Sequence, residues 1–263
     1  MTFVIAVANQ KGGVGKTTSS VSLSAELSLI GYKTLLIDFD PQGSATSGLG
    51  LSPLAEGEDL FDMFFNNISL KEIVRPTAIE NLFVAPASKD LVSIEVEIGK
   101  APGRELILKS EINMLGGEYD FVIIDCPPSS GLLTLNALGA SNYVLIPLQA
   151  EYYALEGLTA LMETIKFVQG TFNTNLDILG VFLTMYDSRN NLSSQVLEET
   201  KNYFGEKLFS TKIPRNVRLS ECPSFGQPIC VYAPESSGAE AYHNLALEIN
   251  DRCYDGSKVV VNS

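Results

Sequence analysis

The chain has few of the side chains that bind transition metals through sulfur or imidazole. Its 263 residues include four cysteines and a single histidine, His243, and no two cysteines form a C-x-x-C pair. Zinc and iron–sulfur sites need several such ligands at short spacings. We therefore expect neither kind of site, and we expect the cysteines to be packed or free thiols.

Long hydrophobic runs are also missing. The longest apolar stretches, such as residues 121–124 and 143–146, are short, whereas a transmembrane helix needs about 20 apolar residues. The first residues lead into an apolar stretch without the basic segment that opens a signal peptide. The sequence therefore predicts a cytoplasmic protein that does not bind a membrane.

Positive charge is scarce. The 18 Lys and Arg residues are outnumbered by 31 Asp and Glu residues, which gives a formal net charge of −13 at pH 7. Such a balance argues against a uniformly basic nucleic-acid binder. The distribution is uneven, because residues 189–218 contain six basic and three acidic residues. One local basic patch on an acidic protein is therefore still compatible with the sequence.

Strand and helix patterns alternate along the chain. This order predicts an α/β fold, in which a mostly parallel, twisted sheet has helices on both faces. The predicted strands are residues 4–8, 34–38, 82–86, 121–125, 143–147 and 178–185. The predicted helices are residues 17–30, 103–115, 132–140, 153–169, 192–204 and 237–253. Residues 43–80 are expected to form loops and short helices. Since no repeat or linker is visible, we expect one domain over residues 1–253 and a flexible tail over residues 254–263.

A glycine-rich loop lies between the first predicted strand and the first predicted helix. Its glycines allow a tight turn in which successive N–H groups form a nest for an anion, and the helix adds its N-terminal dipole. Lys16 can neutralise phosphate oxygens, and the Thr17 hydroxyl can bind Mg²⁺. The usual pattern G-x-x-x-x-G-K-[ST] has a glycine where this chain has Gln10. The predicted phosphate site consists of Lys11, Gly12, Gly13, Val14, Gly15, Lys16, Thr17 and Thr18.

Three aspartates lie at the ends of predicted strands. Asp38 and Asp40 belong to the segment IDFDPQG, and Asp125 ends the segment FVIID. Ligands of open α/β sheets bind beyond the carboxyl ends of the strands, so we expect these carboxylates near the phosphates. Asp125 is the predicted magnesium ligand. For Asp38 and Asp40, an alternative is a purely structural role in the turn before Pro41.

The two-lysine loop KGGVGKTT resembles the deviant Walker A motif of the ParA/MinD group of P-loop ATPases. Residues 35–51, 119–129, 184–196 and 213–229 resemble the short ParA proteins, also called Soj, that segregate chromosomes and plasmids. The resemblance extends from about residue 3 to residue 250. It implies a single-domain P-loop fold, ATP and Mg²⁺ as cofactors, and an ATPase activity that is weak until a partner stimulates it.

The resemblance also implies roles for individual residues. Lys11 has no evident role in its own loop, where it could be a solvated lysine, but in the family the matching lysine reaches the partner's phosphates in an ATP-sandwich dimer, like an arginine finger in trans. Asp40 would orient the attacking water, and Asp38 would support the magnesium shell or the loop. Pro214 and Asn216, in the segment IPRNV, would contact adenine.

DNA binding is expected from three arginines in the basic region: Arg189, Arg215 and Arg218. Short ParA proteins use arginines that match Arg189 and Arg218 for sequence-independent binding to DNA phosphates, a salt-sensitive interaction. Relatives often carry further arginines where this chain has residues 231–242, including Glu235 and Ser237. We therefore expect weak or strongly salt-dependent binding to DNA.

The implied function is an ATP-dependent switch for chromosome or plasmid partition. Its ATP-bound homodimer would bind double-stranded DNA nonspecifically on the nucleoid, and hydrolysis stimulated by a ParB/Spo0J-type partner would release it. One alternative is a MinD-like membrane-positioning ATPase, although the C-terminal sequence lacks a convincing basic amphipathic helix. Another is a nucleotide-dependent regulator of replication initiation.

Overall fold

Seven strands form one sheet in the computed structural model, which describes residues 1–51, 59–98, 102–151 and 156–260. The strands are β1 (Phe3–Val7), β2 (Thr34–Asp38), β3 (Arg75–Pro76), β4 (Leu82–Ala85), β5 (Phe121–Asp125), β6 (Tyr143–Gln149) and β7 (Asp177–Thr184). Their order in the sheet is β3-β4-β2-β5-β1-β6-β7. All neighbouring strands are parallel except the β3–β4 pair. The mostly parallel α/β sheet expected from the sequence is confirmed.

The helices lie between these strands and after the last one. They are α1 (Lys16–Ile30), α2 (Ser44–Gly48), α3 (Leu60–Phe65), α4 (Leu70–Ile73), α5 (Ile94–Glu97), α6 (Ile107–Met114), α7 (Leu132–Ala140), α8 (Glu156–Thr171), α9 (Asn191–Phe204), α10 (Val217–Glu221), α11 (Ile229–Tyr232) and α12 (Ser237–Val260). The predicted start of α8, at residues 153–155, lies outside the described residues. In the described part of the chain, no helix has the length and apolar character needed to cross a lipid bilayer.

The alternation of side chains along each strand divides the core into two layers. In β1, Val4 and Ala6 belong to one layer, whereas Phe3, Ile5 and Val7 belong to the other. Successive side chains of a strand point to opposite faces of the sheet, and both faces are covered here. The first layer contains buried side chains of α6, α7 and α8, and the second contains those of α1 and α12.

The fold differs from the sequence prediction at several element ends, and most clearly at β3 and α12. The short antiparallel edge strand β3 was not predicted, because two residues that include a proline give no strand pattern. Helix α12 continues beyond the predicted end at residue 253, to Val260. The Tyr254 ring packs against the rings of Phe3 and Tyr32, with centroids 5.2 and 5.9 Å away, and this contact holds the helix against the sheet. Residues 261–263 of the predicted tail, and residues 52–58 of the predicted loop region, lie outside the described residues.

Candidate nucleotide-binding site

The glycine-rich loop connects the central strand β1 to α1. Gly13 and Gly15 adopt left-handed conformations, with φ of 75° and 90°, which are strained for residues with a side chain. Gly15 is the N-cap residue of α1, and its carbonyl accepts the Ser19 N–H at 2.9 Å. Gly12 and Gly13 are exposed. The loop therefore leaves the N-terminal end of α1 open to an anion, as the sequence predicts.

Two polar side chains, one just after β1 and one at the end of β7, hold this loop in place. Asn9 accepts the Lys11 N–H at 3.0 Å and donates to the Pro147 carbonyl at 2.8 Å. The Thr184 hydroxyl, at the end of β7, donates to the Val14 carbonyl at 2.8 Å. Asn9 and Thr184 were not predicted from the sequence, although polar residues at the ends of parallel strands are a usable signal for such contacts.

Lys16 lies inside the loop rather than in solvent. Only 7% of its surface is exposed, and its Nζ donates to the Lys11 carbonyl at 3.2 Å. Burial lowers the pKa of Lys16, whereas the nearby charges of Asp125, Cys126 and Asp40 act in the opposite direction. The amine therefore lies between the loop and the strand ends that carry the carboxylates.

Asp38 and Asp125 are adjacent at the ends of β2 and β5, where they are partners in the strand register. Both are fully buried. The Ser20 hydroxyl donates to Asp125 Oδ1 at 3.0 Å, and the Thr46 N–H and hydroxyl both donate to Asp38 Oδ2 at 2.7 Å. The remaining oxygens, Asp125 Oδ2 and Asp38 Oδ1, accept no hydrogen bond from the described residues.

This arrangement raises the pKa of both carboxyl groups. For Asp125 the largest cause is burial, followed by the charge of Asp38, while the hydroxyls of Thr17 and Ser20 partly offset the rise. For Asp38 burial is again the largest cause, and the Thr46 hydrogen bonds oppose it. Buried carboxylate oxygens without donors, next to a threonine hydroxyl, form the hard oxygen set that Mg²⁺ prefers. Asp38, Asp125 and Thr17 thus fit a magnesium ion.

Asp40 stabilises a turn and also lies close to the predicted phosphate site. Its Oδ1 accepts the Gln42 N–H at 3.0 Å and its carbonyl accepts the Gly43 N–H at 2.9 Å, so it stabilises a turn. It is only partly buried, and its charge acts to raise the pKa values of both Lys16 and Asp125. The carboxylate therefore lies at the mouth of the same site.

Lys11 contacts a residue that the sequence analysis did not consider. Its Nζ forms an ion pair with Glu151 Oε2 at 3.2 Å, and the Gln149 side chain donates to the other oxygen of Glu151 at 2.6 Å. Both charged side chains are partly exposed. In this structure Lys11 is thus directed to the end of β6 within its own subunit. No sequence pattern marks Glu151, because the contact depends on how the strands are ordered in the sheet.

Pro214 and Asn216 follow a segment that runs beside β7. Pro214 forms a parallel bridge with Tyr186. Tyr186 lies two residues after Thr184, which contacts the phosphate loop. Asn216 caps α10, where its Oδ1 accepts the Arg218 N–H at 2.8 Å, and its Nδ2 donates to Ser237 at 3.0 Å. These contacts give Asn216 a structural role, and the adenine contacts of both residues stay predictions.

The three arginines of the basic region lie on the surface. The Arg189 side chain is 89% exposed and pairs with Asp187, whereas that of Arg218 is 58% exposed and pairs with Glu221. Arg215 is exposed, and its charge contributes to lowering the pKa of Asp187. The structure therefore shows acidic neighbours of Arg189 and Arg218, Asp187 and Glu221, that were not predicted from the sequence.

Comparison with known proteins places the chain among related sequences. A family model described as an AAA domain matches residues 2–178. Soj of Bacillus subtilis, a sporulation initiation inhibitor protein, is 52% identical over 246 residues, which cover 94% of this chain and 97% of that protein. The chromosome-partitioning ATPase Soj of Treponema pallidum is 52% identical over 95% of this chain and 97% of its own.

Solved structures show the same architecture. A cobyrinic acid a,c-diamide synthase from Mycobacterium smegmatis, with bound ADP and magnesium, is 36% identical, with a TM-score of 0.85 over 97% of each chain. A putative plasmid partition protein from Borrelia burgdorferi, bound to AMPPNP, is 26% identical, with a TM-score of 0.81 over 95% of this chain and 98% of its own. From the family match and these identities, we conclude that the chain belongs to the AAA domain family and, within it, to the Soj/ParA chromosome-partitioning ATPases.

Proposed function

We propose that this protein is a partition ATPase that binds ATP and Mg²⁺, dimerises when ATP is bound, and holds nonspecific double-stranded DNA in that state. The observation that carries the nucleotide part is a pair of buried carboxylate oxygens, Asp125 Oδ2 and Asp38 Oδ1, that accept no hydrogen bond from the residues that the structure describes. They lie at the strand ends nearest to Lys16 and the phosphate loop. Leaving such oxygens unpaired is costly unless a cation or a donor compensates them.

The residues of the site have separate tasks in ATP hydrolysis. Asp125, Asp38 and Thr17 would hold a magnesium ion, which spreads the negative charge that develops on the phosphates. The glycine-rich loop binds phosphate oxygens through its N–H groups, and Lys16 adds a positive charge from within the loop. Asp40, at the mouth of the site, orients the attacking water by accepting its proton in a hydrogen bond.

Dimerisation would use Lys11. Among the described residues, its amine contacts the partly exposed carboxylate of Glu151. An exposed ion pair of this kind is worth about 0–1 kcal/mol, so a phosphate group of a second subunit can compete for the amine. The resemblance to the two-lysine ATPases supports this role.

The DNA-binding part of the proposal rests on Arg189, Arg215 and Arg218. One subunit, with a net charge of −13, presents this group of arginines once, whereas a dimer presents two such groups to one duplex. Phosphate contacts release counterions, so the affinity falls as salt rises. Hydrolysis stimulated by a ParB/Spo0J-type partner would return the protein to monomers that leave the nucleoid. The relatives named for chromosome partitioning support the partition role to which these proposed steps belong.

A binding titration with Asp40→Ala tests the proposal. The substitution keeps Lys16, Asp125 and Thr17, so ATP still binds, but turnover falls by about tenfold to a thousandfold because the water loses its orientation. We expect the variant to stay on DNA with ATP, and wild-type protein to bind DNA with ATP but not with ADP. ATP turnover at the wild-type rate in Asp40→Ala would show that Asp40 only stabilises the turn.

An ATP-loaded protein that does not bind DNA at low salt would exclude the DNA-binding step and favour the membrane-positioning or regulatory alternatives.

A further inference from the structure

Arg189, one of the arginines proposed to bind DNA phosphates, is engaged by a carboxylate of its own chain. Its Nε and a terminal nitrogen donate to the two oxygens of Asp187 at 3.0 and 2.9 Å, and its backbone N–H donates to Asp187 Oδ1 at 3.0 Å. The guanidinium therefore binds a carboxylate in the bidentate manner in which it could also bind a phosphate. These bonds, together with the charge of Arg215, hold the pKa of Asp187 at about 2, so it is ionised at neutral pH.

Arg218 shows the same arrangement on α10. Its terminal nitrogen donates to Glu221 Oε2 at 2.9 Å, one helical turn further along the chain. The Tyr232 hydroxyl donates to the same oxygen at 3.1 Å and keeps the Glu221 side chain in place. Two of the three arginines in the basic region are therefore paired with a neighbouring acidic residue. Both arginines are largely exposed, so their positions are open to a large ligand.

The pairing affects DNA binding in two ways. A phosphate must first replace the carboxylate on the arginine, and it must then lie close to the negative charge that has been displaced. Each exposed ion pair weakens the contact with a phosphate only modestly, but a dimer contains each pair twice, so the effects add.

We propose that Asp187 and Glu221 are intramolecular competitors of DNA phosphates, and that they set the affinity and salt dependence of the basic patch. This inference rests on the proposed function, since it concerns the same arginines. Through this competition, an acidic protein with exposed arginines would release DNA readily. The competing carboxylates hold the affinity below the value that the arginines alone would give.

The test compares Asp187→Asn with wild-type protein in DNA binding with a non-hydrolysable ATP analogue. Asparagine keeps an acceptor for the Arg189 N–H, so the turn is preserved, but it removes the charge. We expect binding to a labelled nonspecific duplex to become about tenfold tighter at about 0.1 M salt, with a steeper loss of affinity as salt rises. Glu221→Gln, which keeps an acceptor for the Tyr232 hydroxyl, should act in the same direction.

Asp177→Asn is the matched control. Asp177 also pairs with a surface cation, Lys207 at 2.6 Å, and its loss changes the net charge equally. It lies at the opposite end of β7 from Arg189, so we expect little change in DNA affinity. In the double variant Asp187→Asn/Arg189→Ala the increase in DNA affinity should disappear, because it depends on the released guanidinium.

The outcomes separate this inference from the proposed function. Suppose that wild-type protein binds DNA and that Arg189→Ala weakens the binding. If the DNA affinity of Asp187→Asn then equals that of wild type or of Asp177→Asn, the proposed competition is wrong and the DNA-binding function stands. If Asp187→Asn binds DNA where wild type does not, the competition is supported. If neither binds at low salt, although both load the ATP analogue and dimerise, both the inference and the DNA-binding function are wrong.

Discussion

The buried carboxylates of Asp38 and Asp125 destabilise the nucleotide-free protein, because folding removes their charges from water. Burial raises the pKa of Asp125 to about 8, with the charge of Asp38 as the second cause. In the unfolded chain an aspartate has a pKa of about 3.9. Between these values the folded protein binds a proton that the unfolded chain has released, so stability falls as the pH rises from about 4 to about 8.

Substitution of Asp125 by asparagine should reverse this effect. The asparagine side chain keeps an acceptor for the Ser20 hydroxyl and has no charge to bury, so we expect the nucleotide-free variant to melt about 2–4 °C higher than wild type at pH 8, equivalent to about 1 kcal/mol. At pH 5, where Asp125 is protonated, the difference should vanish. The variant should also lose the additional thermal stability that wild-type protein gains from ATP with Mg²⁺ over ATP alone. Thermal melts at both pH values check this, and equal melting temperatures at pH 8 would contradict it.

The sequence identifies the residues of the site whose role follows from local spacing. Lys16 and Thr17 are fixed by the glycine-rich pattern, and Asp125 by its position at the end of an apolar strand. Ser20, Thr46 and Glu151 could not be identified in this way, because each acts on a residue that is distant in the chain or on another element. Their contacts depend on the order of the strands, which local patterns do not specify.

The edge strand β7 is anchored by Arg252 of α12. The Arg252 guanidinium donates to the carbonyls of Leu179, Lys207 and Leu208 at 3.0–3.1 Å and lies 3.8 Å from the centre of the Phe209 ring. Gly180 makes this packing possible, since a Cβ at its position would overlap the Phe209 ring and lie 2.6 Å from an Arg252 nitrogen. A register shift in the β6–β7 pairing occurs at the same point, as is typical of strand glycines.

Gly180→Ala should therefore destabilise the fold. The added methyl group must displace the Phe209 ring, Arg252 or the Lys207 carbonyl, and overpacking of this kind costs about 1–3 kcal/mol. We expect a melting temperature about 3–10 °C lower. The matched control is Gly170→Ala in α8, where an added Cβ meets no atom within 4 Å. That change should be neutral or stabilising by about 0.5–1 kcal/mol, because alanine favours a helix. If both variants melted alike, the packing at Gly180 would not limit stability.

Most elements of the fold could be predicted because their patterns are long enough to be distinct. Six of the seven strands are apolar runs bounded by polar or turn residues, and α1, α7 and α9 have clear starts and ends. The exact end of α12 could not be predicted, since it depends on the packing of Tyr254 against aromatic rings from distant parts of the chain. The short β3 has no pattern of its own and is defined only by pairing with β4.

At the scale of the whole molecule, the proposed dimer requires that Lys11 exchange its contact with Glu151 for one in the second subunit. Lys11→Ala should spare ATP binding, because Lys16 and the loop N–H groups remain, but it should prevent a productive dimer and hydrolysis. Lys16→Ala should weaken ATP binding itself. Light scattering after size-exclusion chromatography, with ATP binding measured in parallel, distinguishes the two variants. A Lys11→Ala protein that dimerises with ATP and hydrolyses it normally would exclude the role of this lysine in trans.

Helix α1 is enclosed on nearly all sides, and this has a thermodynamic consequence for ligand binding. Its side chains from Ser19 to Ser28 are buried, and the Ser19 and Tyr242 hydroxyls, 2.8 Å apart, connect it to α12. Folding of the domain has therefore already restricted the backbone that carries the phosphate nest. A nucleotide that binds there loses little affinity to the ordering of this helix. The conformational entropy lost on nucleotide binding therefore comes mainly from less enclosed groups, such as the Lys11 side chain. Because the proposed dimer orders this side chain, the entropy that it loses sets how strongly dimerisation depends on temperature.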